Sequence, residues 1–215
     1  MKIIGVVQVK GGAGRSTVAT NIAGEFAKTY QTVLVDCDMP QGSALSWAAL
    51  RNDWHPGLRV ETVTNHRELV AIVERLKPDT EYLVLDGPPR LAEMTRAILV
   101  LADLCLVPIG ASPAEVWATS DLRTLIDDAA KVRRVHARLI WTRFRAYTTL
   151  AQELSVEAEK ALGLKAIKTT LGYRVAYAEA LGQGRTAAEV QDSHAKQEVK
   201  ALLIEVKRLL TKSST

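Results

Sequence analysis

The segment QVKGGAGRST at residues 8–17 joins an apolar run to a stretch of helical period. Residues 2–9 are almost continuously apolar, which is typical of a strand buried on both faces, and the helical pattern begins at Ser16. Glycines in the intervening turn allow backbone N–H groups to curl around an anion, and the amino end of a helix adds unpaired donors. The segment therefore predicts a phosphate-binding loop at the carboxyl end of the first strand.

The loop fits a nucleoside triphosphate site, although it departs twice from the pattern G-x-x-x-x-G-K-[ST]. Val9 holds the first glycine position and Arg15 holds the lysine position. A guanidinium is bulkier than an ammonium, planar and always charged, so we expect Arg15 to preserve ATP binding while lowering turnover. Ser16 would offer its hydroxyl to Mg²⁺. The predicted nucleotide contacts in the loop are Lys10, Gly11, Gly12, Ala13, Gly14, Arg15, Ser16 and Thr17.

The bulk properties of the chain are those of an ordinary globular protein. Its 215 residues are enough for one large core, and we predict a single domain over residues 1–215. Apolar runs stay shorter than about 18 residues, so no membrane-spanning helix is expected. The amino terminus enters the first strand without a charged and apolar leader, which predicts a cytoplasmic protein. Cys37 and Cys105 lie in apolar strand-like stretches and should be buried free thiols.

Apolar strand-like runs alternate along the chain with segments of helical period. The strand-like runs are at 2–9, 32–36, 58–63, 81–86, 103–108 and 135–141. The helical segments are at 16–29, 43–51, 66–76, 92–101, 114–130 and 148–162. This alternation predicts an α/β fold, a mostly parallel twisted sheet with helices on both faces, whose ligands gather at the carboxyl ends of the strands. A last segment, about 195–211, carries an apolar stripe and predicts a closing amphipathic helix.

Carboxylates follow two further predicted strands. Asp36 and Asp38 stand at the end of the second strand, and Asp86 follows four apolar residues at the end of the fourth. An aspartate at a strand mouth can position an attacking water, and one two residues later can reach the water shell of Mg²⁺. The run that ends in Asp86 has the Walker B pattern, which places a carboxylate near the metal. We therefore predict ATP and Mg²⁺ as cofactors, with Ser16, Asp38 and Asp86 serving the metal.

These motifs resemble those of the ParA/MinD family of dimeric ATPases. Residues 10–16, KGGAGRS, are similar to the family's deviant Walker A motif, with Arg15 in place of lysine. Residues 36–42, DCDMPQG, resemble its Asp-x-Asp-Pro-Gln-Gly motif with Met39 inserted, and residues 86–89, DGPP, resemble its Asp-x-Pro-Pro motif. A carboxyl-terminal stretch, 174–186, is similar to the small plasmid-type ParA proteins. The resemblance covers nearly the whole chain.

The resemblance implies a switch that is driven by ATP. Lys10 would cross the interface of an ATP-dependent homodimer and contact the partner's phosphates, so that Lys10 and Arg15 both act on the triphosphate. Asp36 would position the attacking water, while Asp38 and Asp86 would act on Mg²⁺ indirectly. A cargo-bound adaptor protein would stimulate hydrolysis. The cargo would be a plasmid, a chromosome or a protein assembly, and no motif in the chain says which.

Non-specific DNA is a further partner that the resemblance implies, because members of the family bind it in the ATP-bound dimer. The net charge of +4 permits DNA binding without requiring it. Basic residues cluster in the carboxyl-terminal half, and Arg174 is the first candidate among them. The predicted DNA contacts are Arg143, Arg145, Lys168, Arg174 and Arg185. We accordingly expect a cytoplasmic protein that associates with the nucleoid, and a membrane partner is not expected.

Thr142 and Arg143 are the predicted contacts to the base, because they stand at the end of the strand that resembles one side of the family's adenine pocket. The family usually has asparagine where Thr142 stands. A single hydroxyl cannot replace the donor and acceptor pair of an amide. We therefore expect the protein to select the base less strictly than it holds the phosphates.

Other functions are compatible with the same motifs. A nucleotide-gated DNA-binding dimer with little or no hydrolysis follows if Arg15 blocks turnover. A MinD-like membrane-associated positioning ATPase would use residues 195–211 as an anchor, but that segment lacks aromatic residues and mixes acids with bases, which favours packing on the core. A metabolic enzyme on the same fold, either ATP-dependent and amide-forming or electron-transferring, is a further alternative. The electron-transfer version would need cysteines outside strands, unlike Cys37 and Cys105.

Overall fold

The computed structural model describes residues 1–51, 55–117, 120–144 and 149–212. These residues form a seven-stranded sheet in the order β3-β2-β4-β1-β5-β6-β7, and every pairing is parallel. The strands are β1 Lys2–Val6, β2 Thr32–Asp36, β3 Leu58–Thr62, β4 Tyr82–Asp86, β5 Leu104–Gly110, β6 Ala137–Phe144 and β7 Ala166–Gly172. The predicted parallel α/β fold is confirmed, and so are the six predicted strands.

Helices cover both faces of this sheet. Their bounds are α1 Arg15–Phe26, α2 Ser43–Leu50, α3 His66–Leu76, α4 Ala92–Leu101, α5 Pro113–Trp117, α6 Ser120–Ala130, α7 Thr149–Leu162, α8 Val175–Gly182 and α9 Ser193–Lys212. The sequence predicted one helix over 114–130, where the structure has α5 and α6, with residues 118–119 between them outside the described ranges. Strand β7 and helix α8 were not predicted at all.

The core has two layers, one on each side of the sheet. Alternate residues of β1 divide between them, since Ile3 packs in one layer and Ile4 in the other. Helices α3, α4, α6 and α7 close the first layer, and helices α1, α2, α8 and α9 close the second. Cys37 and Cys105 are buried free thiols, as predicted, and burial is the main cause that raises the pKa of each above its ordinary value.

Helix α9 packs on the second layer through a buried apolar stripe and spans the segment for which a closing amphipathic helix is expected. The buried residues of the stripe are Ala195, Val199, Leu202, Val206 and Leu210. Among the described helices, none is both long enough and apolar enough to cross a membrane.

Strand β7 lies at one edge of the sheet, and α9 supplies acceptors for several of its backbone donors. The buried Glu205 accepts hydrogen bonds from the N–H groups of Lys168 and Thr169, each at 3.0 Å. Two turns earlier on the same helix, Glu198 accepts from the N–H of Gly172 at 3.0 Å. Unpaired donors on an edge strand are a template for pairing with another chain, so these two carboxylates protect the edge.

The connection between α8 and α9 passes very close to the end of α2. Gly184 has φ of +67°, and a Cβ at this position would lie 2.4 Å from the backbone N of Arg51. That nitrogen belongs to main chain and cannot rotate away. The side chain of Arg51 strengthens the same junction, since it donates to the carbonyl of Gly184 at 2.9 Å and pairs with Glu189 at 2.8 Å.

Replacing Gly184 with alanine is expected to lower the free energy of unfolding by about 3 kcal/mol, because the new methyl group meets main chain in a left-handed conformation. Gly182→Ala is the matched control, since a Cβ there meets nothing within 4 Å. The control should change stability by about 1 kcal/mol at most. Urea unfolding measures both, and equal midpoints for the two variants would contradict the expectation.

Candidate functional site

The loop from Val7 to Gly14 turns at the carboxyl end of β1 and leads directly into α1. Gly12 has φ of +75° and Gly14 has φ of +90°, a region that side chains with a Cβ rarely adopt. Gly14 is also the amino-terminal cap of α1, and no side chain caps the helix. A Cβ added to Gly11 or Gly12 would meet nothing within 4 Å, so the loop opens onto free space. Its backbone donors are therefore available to an anion.

Arg15 folds back under the loop and is only 7% exposed. Its Nη1 donates to the carbonyl of Gln8 at 2.9 Å and to the carbonyl of Lys10 at 2.7 Å. Its Nη2 lies 3.4 Å from Oδ2 of Asp38. The planar guanidinium of Arg15 thus links the carbonyls of Gln8 and Lys10 and holds the carboxylate of Asp38 beside the loop.

Asp36 is fully buried at the end of β2, and backbone donors occupy both of its carboxylate oxygens. Oδ1 accepts from the N–H of Asp38 at 3.0 Å, and Oδ2 accepts from the N–H groups of Ala44 and Leu45, each at 2.9 Å. The last two donors belong to the first turn of α2, where a negative charge is favourable. The structure therefore places Asp36 as the anchor of α2.

Asp38 differs from Asp36 because its carboxylate is partly exposed and faces Arg15 rather than backbone donors. Partial burial raises the pKa of Asp38, the Arg15 guanidinium opposes that rise, and the charge of Asp36 adds to it. Of Asp36 and Asp38, only Asp38 therefore faces the loop, and only its carboxylate can exchange its present partner, Arg15, for another group.

Asp86 ends β4 directly beside Asp36, because β2 and β4 are hydrogen-bonded neighbours and these two residues are in register. Asp86 is fully buried, and neither carboxylate oxygen has a hydrogen-bond partner among the described residues. Burial raises its pKa from the ordinary value of 3.8 to about 7, and the nearby Ser16 hydroxyl only partly offsets this. An unpartnered buried carboxylate is costly, and a divalent cation or its water shell would satisfy it.

These observations fit an Mg²⁺–nucleotide complex. The loop offers backbone donors to phosphates, Arg15 brings a positive charge, and the orphaned oxygens of Asp86 lie close to Ser16. In the described part of the chain, no three histidine, cysteine, aspartate or glutamate side chains form a cage that could hold a metal ion alone. A metal ion here would therefore depend on phosphate oxygens and water as well as on protein.

A cavity of about 380 Å³ lies beside the loop. Gly12, Gly14 and Thr17 form its wall on the loop side, and Thr142 and Arg143 contribute from the end of β6. The opposite wall comes from residues of β7 and α8, between 171 and 181. Apolar and aromatic side chains dominate that wall, as expected for a pocket that holds a planar base.

Thr142 and Arg143 line this cavity, but both already have partners. The buried Thr142 hydroxyl donates to the carbonyl of Ala13 at 2.9 Å, which ties β6 to the loop. Arg143 has φ of +50° and pairs with Glu115 at 2.6 Å. The donor of Thr142 is therefore spent on the loop, and its oxygen keeps only acceptor capacity.

The predicted DNA contacts lie on several elements. Arg174, the amino-terminal cap residue of α8, pairs with Glu198 at 2.8 Å and is thus committed within the chain. Lys168 on β7 and Arg185 after α8 are exposed, and neither side chain has a hydrogen-bond or ion-pair partner among the described residues. Arg145 lies outside the described ranges.

Lys10 lines a different cavity from that of Gly12 and Gly14, of about 610 Å³, on the side of α4 and α6. Its ammonium has no hydrogen bond or ion pair within the described residues. Arg90, with φ of +58°, lines the same cavity. This side of the loop therefore presents two cations to solvent.

The fold and the site together define a P-loop protein that binds a nucleoside triphosphate. The glycine loop opens α1 at the centre of a parallel sheet, and carboxylates stand at the ends of the two neighbouring strands β2 and β4. The chain belongs to the CobQ/CobB/MinD/ParA nucleotide-binding family, whose profile matches residues 4–187. The resemblance to ParA/MinD proteins seen in the sequence is thereby confirmed.

Relatives support the same assignment. The maintenance of carboxysome distribution protein A of Halothiobacillus neapolitanus is 26% identical over 187 residues, which cover 84% of this chain and 84% of that protein. The chromosome-partitioning ATPase Soj of Thermus thermophilus is 29% identical over 220 residues, which cover 86% of this chain and 87% of Soj. The structure of apo McdA from Cyanothece shares the fold, with a TM-score of 0.79 and 16% identity over 98% of this chain and 99% of that one.

Proposed function

We propose that this chain is a ParA-like ATPase that dimerises on ATP, binds DNA without sequence preference and positions a cargo. The observation that carries the proposal is the loop braced by Arg15 beside the buried, unpartnered carboxylate of Asp86. The membership of the family makes it an ATP-binding protein of the ParA/MinD type. Dimerisation, DNA binding and cargo are the steps that need experiment.

The phosphates would lie against the backbone donors of residues 11–17, with Arg15 as the positive charge beneath them. Ser16 would ligate the metal through its hydroxyl, and Asp86 would hold the metal's water shell. Mg²⁺, when bound with ATP, would withdraw negative charge from the phosphates. The apolar wall formed by β7 and α8 would cover the base.

The attacking water is better assigned to Asp38 than to Asp36, the residue that the sequence favoured. Backbone donors already bond to both oxygens of Asp36, three in all, whereas Asp38 is bound only through a 3.4 Å pair with Arg15. A phosphate would compete for that guanidinium and leave Asp38 free to orient water. This competition supports slow turnover, because Asp38 is available only while Arg15 is engaged elsewhere.

Dimerisation would use the free ammonium of Lys10, which would reach the phosphates bound to the partner subunit. Lys10 suits this role because its ammonium lines an open cavity and forms no hydrogen bond or ion pair with the described residues. DNA contact is best assigned to Lys168 and Arg185, which are exposed and unpaired among the described residues, rather than to Arg174 and Arg143, which hold internal ion pairs.

The cargo and its adaptor would follow the pattern of the relatives, whose names refer to carboxysome distribution and chromosome partitioning. For this chain we propose a DNA or protein assembly as cargo and an adaptor that accelerates hydrolysis. The protein would act in the cytoplasm on the nucleoid. A membrane anchor is disfavoured, because the apolar stripe of α9 is already buried on the core.

A second candidate is a nucleotide-gated DNA-binding dimer that scarcely hydrolyses ATP. The bracing contacts of Arg15 favour it, because they keep Asp38 occupied. Phosphate release measured with and without DNA and adaptor separates the two functions. Turnover that the adaptor stimulates would exclude the second candidate.

The proposed function is tested by sedimentation of the purified protein without nucleotide, with ADP and with ATP and Mg²⁺, each with and without duplex DNA of random sequence. We expect a dimer only with ATP, and DNA binding only by that dimer. A protein that stays monomeric and ignores DNA in every condition would overturn the proposal.

Substituting both Lys168 and Arg185 with alanine is expected to weaken DNA binding roughly 10-fold and to lower the salt slope by about 2, because each cation releases about one counterion. ATP-dependent dimerisation should persist. The control replaces Arg67 on α3 and Lys160 on α7, two other exposed cations, and loses the same charge. Electrophoretic mobility shifts at several salt concentrations give both quantities, and identical slopes for the two double variants would reject this DNA surface.

A further inference from the structure

The carboxylate of Glu198 on α9 accepts four hydrogen bonds from one short stretch of chain. Oε1 accepts from Nε and Nη2 of Arg174, at 3.0 and 2.8 Å. Oε2 accepts from the hydroxyl of Tyr177 at 2.6 Å and from the N–H of Gly172 at 3.0 Å. Two oxygens with about four lone-pair sites are thus fully used by these donors.

All three partners of Glu198 line the 380 Å³ cavity beside the phosphate loop. Gly172 ends β7, Arg174 caps α8, and Tyr177 lies in the first turn of α8. One carboxylate from α9 therefore fixes the strand end, the helix start and the aromatic ring that make up the far wall of the cavity. Glu198 itself is not among the residues that line the cavity.

We propose that Glu198 is the positioning residue of the nucleoside pocket: it sets the wall against which the base packs, without touching the nucleotide. This inference rests on the proposed nucleotide binding. A preformed wall lowers the entropy that binding must otherwise spend on ordering the pocket. Loss of Glu198 should therefore weaken the contacts of the base and leave those of the phosphates unchanged.

The electrostatics of the cluster keep its hydrogen bonds intact over the working pH range. Burial, followed by the bond to Glu198, raises the pKa of Tyr177 above its ordinary value, so its hydroxyl stays a donor. The bond to Glu198 also raises the pKa of Arg174. Asp192 is the other acid that acts on both groups.

Glu205 provides a matched control on the same helix. It also accepts from backbone N–H groups of β7, at Lys168 and Thr169, and it is more buried than Glu198. None of its partners lines the cavity. A defect that arises only from loosening α9 on β7 should therefore appear in Glu205→Ala as strongly as in Glu198→Ala.

The experiment compares the affinity for ATP with that for inorganic triphosphate, which can engage only the phosphate loop, in the full-length protein. For Glu198→Ala we expect ATP binding to weaken about 10-fold or more, as several charge-assisted bonds are lost. Triphosphate binding should stay within about 2-fold, so the ratio of the two affinities falls. Glu198→Gln, which keeps one acceptor oxygen, should recover part of the ratio.

Glu205→Ala should lower the thermal midpoint while leaving the ratio at its wild-type value. Tyr177→Phe removes one of the four donors and carries the test if Glu198→Ala does not fold; its ratio should fall by a few-fold. An unchanged ratio in the Glu198 and Tyr177 variants, with wild-type protein that binds ATP, would overturn the inference. Wild-type protein that binds neither probe would instead overturn the proposed function.

Discussion

Replacing Arg15 with alanine is expected to weaken ATP binding by about 100-fold to 1,000-fold. The substitution removes the positive charge beneath the phosphates and both bonds that brace the loop, to the carbonyls of Gln8 and Lys10. A charge-assisted contact between the guanidinium and a phosphate contributes about 1.5–3 kcal/mol, and the loosening of the unbraced loop adds the rest of the expected loss. Isothermal titration with ATP and Mg²⁺ measures it.

Arg15→Lys is the matched variant, because it keeps the charge and restores the residue usual at this position in the P-loop pattern. An ammonium is a compact point charge and cannot reproduce the fork that reaches two carbonyls and Asp38 together. We expect ATP binding within about 10-fold of wild type and turnover about 10-fold faster, as Asp38 loses its partner. Wild-type turnover in Arg15→Lys would show that Arg15 does not limit hydrolysis.

Replacing Asp86 with asparagine is expected to stabilise the nucleotide-free protein at pH 8 by up to about 4 kcal/mol, the free energy equivalent of raising the pKa from 3.8 to about 7. The native state binds the proton more tightly than the unfolded state. Protonation of Asp86 therefore makes its full contribution to the free energy of unfolding below about pH 4, and this contribution is lost as pH rises through about 7. Asparagine carries no charge, so the variant lacks this part of the pH dependence.

Urea unfolding of both proteins at pH 5 and pH 8 measures this difference. The advantage of Asp86→Asn should be clearly larger at pH 8 than at pH 5. Adding ATP and Mg²⁺ should reverse the order, because only wild type can satisfy its carboxylate with the metal's water shell. Asp79→Asn, an exposed aspartate, is the control and should shift stability by at most about 0.5 kcal/mol. A pH-independent difference would contradict the expectation.

The sequence predicts the sheet well because its central strands are buried on both faces and read as short apolar runs. Strand β7 escaped prediction because it is an edge strand, and its sequence AIKTTLG alternates buried Ile167 with exposed Lys168. A short segment in which polar and apolar residues alternate cannot be told from a loop when its partner strand is unknown.

The phosphate side of the site was predictable because one continuous segment, 8–17, carries it. On the nucleoside side the sequence offered only Thr142 and Arg143, through the family resemblance, and it missed Tyr177, which comes to the phosphate loop only after folding. The same limit applies to Arg174, whose availability depends on Glu198 in the next helix. Sequence spacing could not show which of Asp36 and Asp38 has a free carboxylate, since that depends on how α2 returns to the end of β2.

The order of the phosphate loop and Glu198 along the chain has a consequence for its synthesis. The phosphate loop leaves the ribosome before α9, which is the last described element. Until α9 emerges, β7 lacks the carboxylates of Glu198 and Glu205 that cover its edge, and the proposed nucleoside pocket lacks the residue that positions its wall, Glu198. A nascent chain would therefore gain from a nucleotide only the contacts of the phosphate loop, and its edge strand stays open to wrong pairing until α9 has folded.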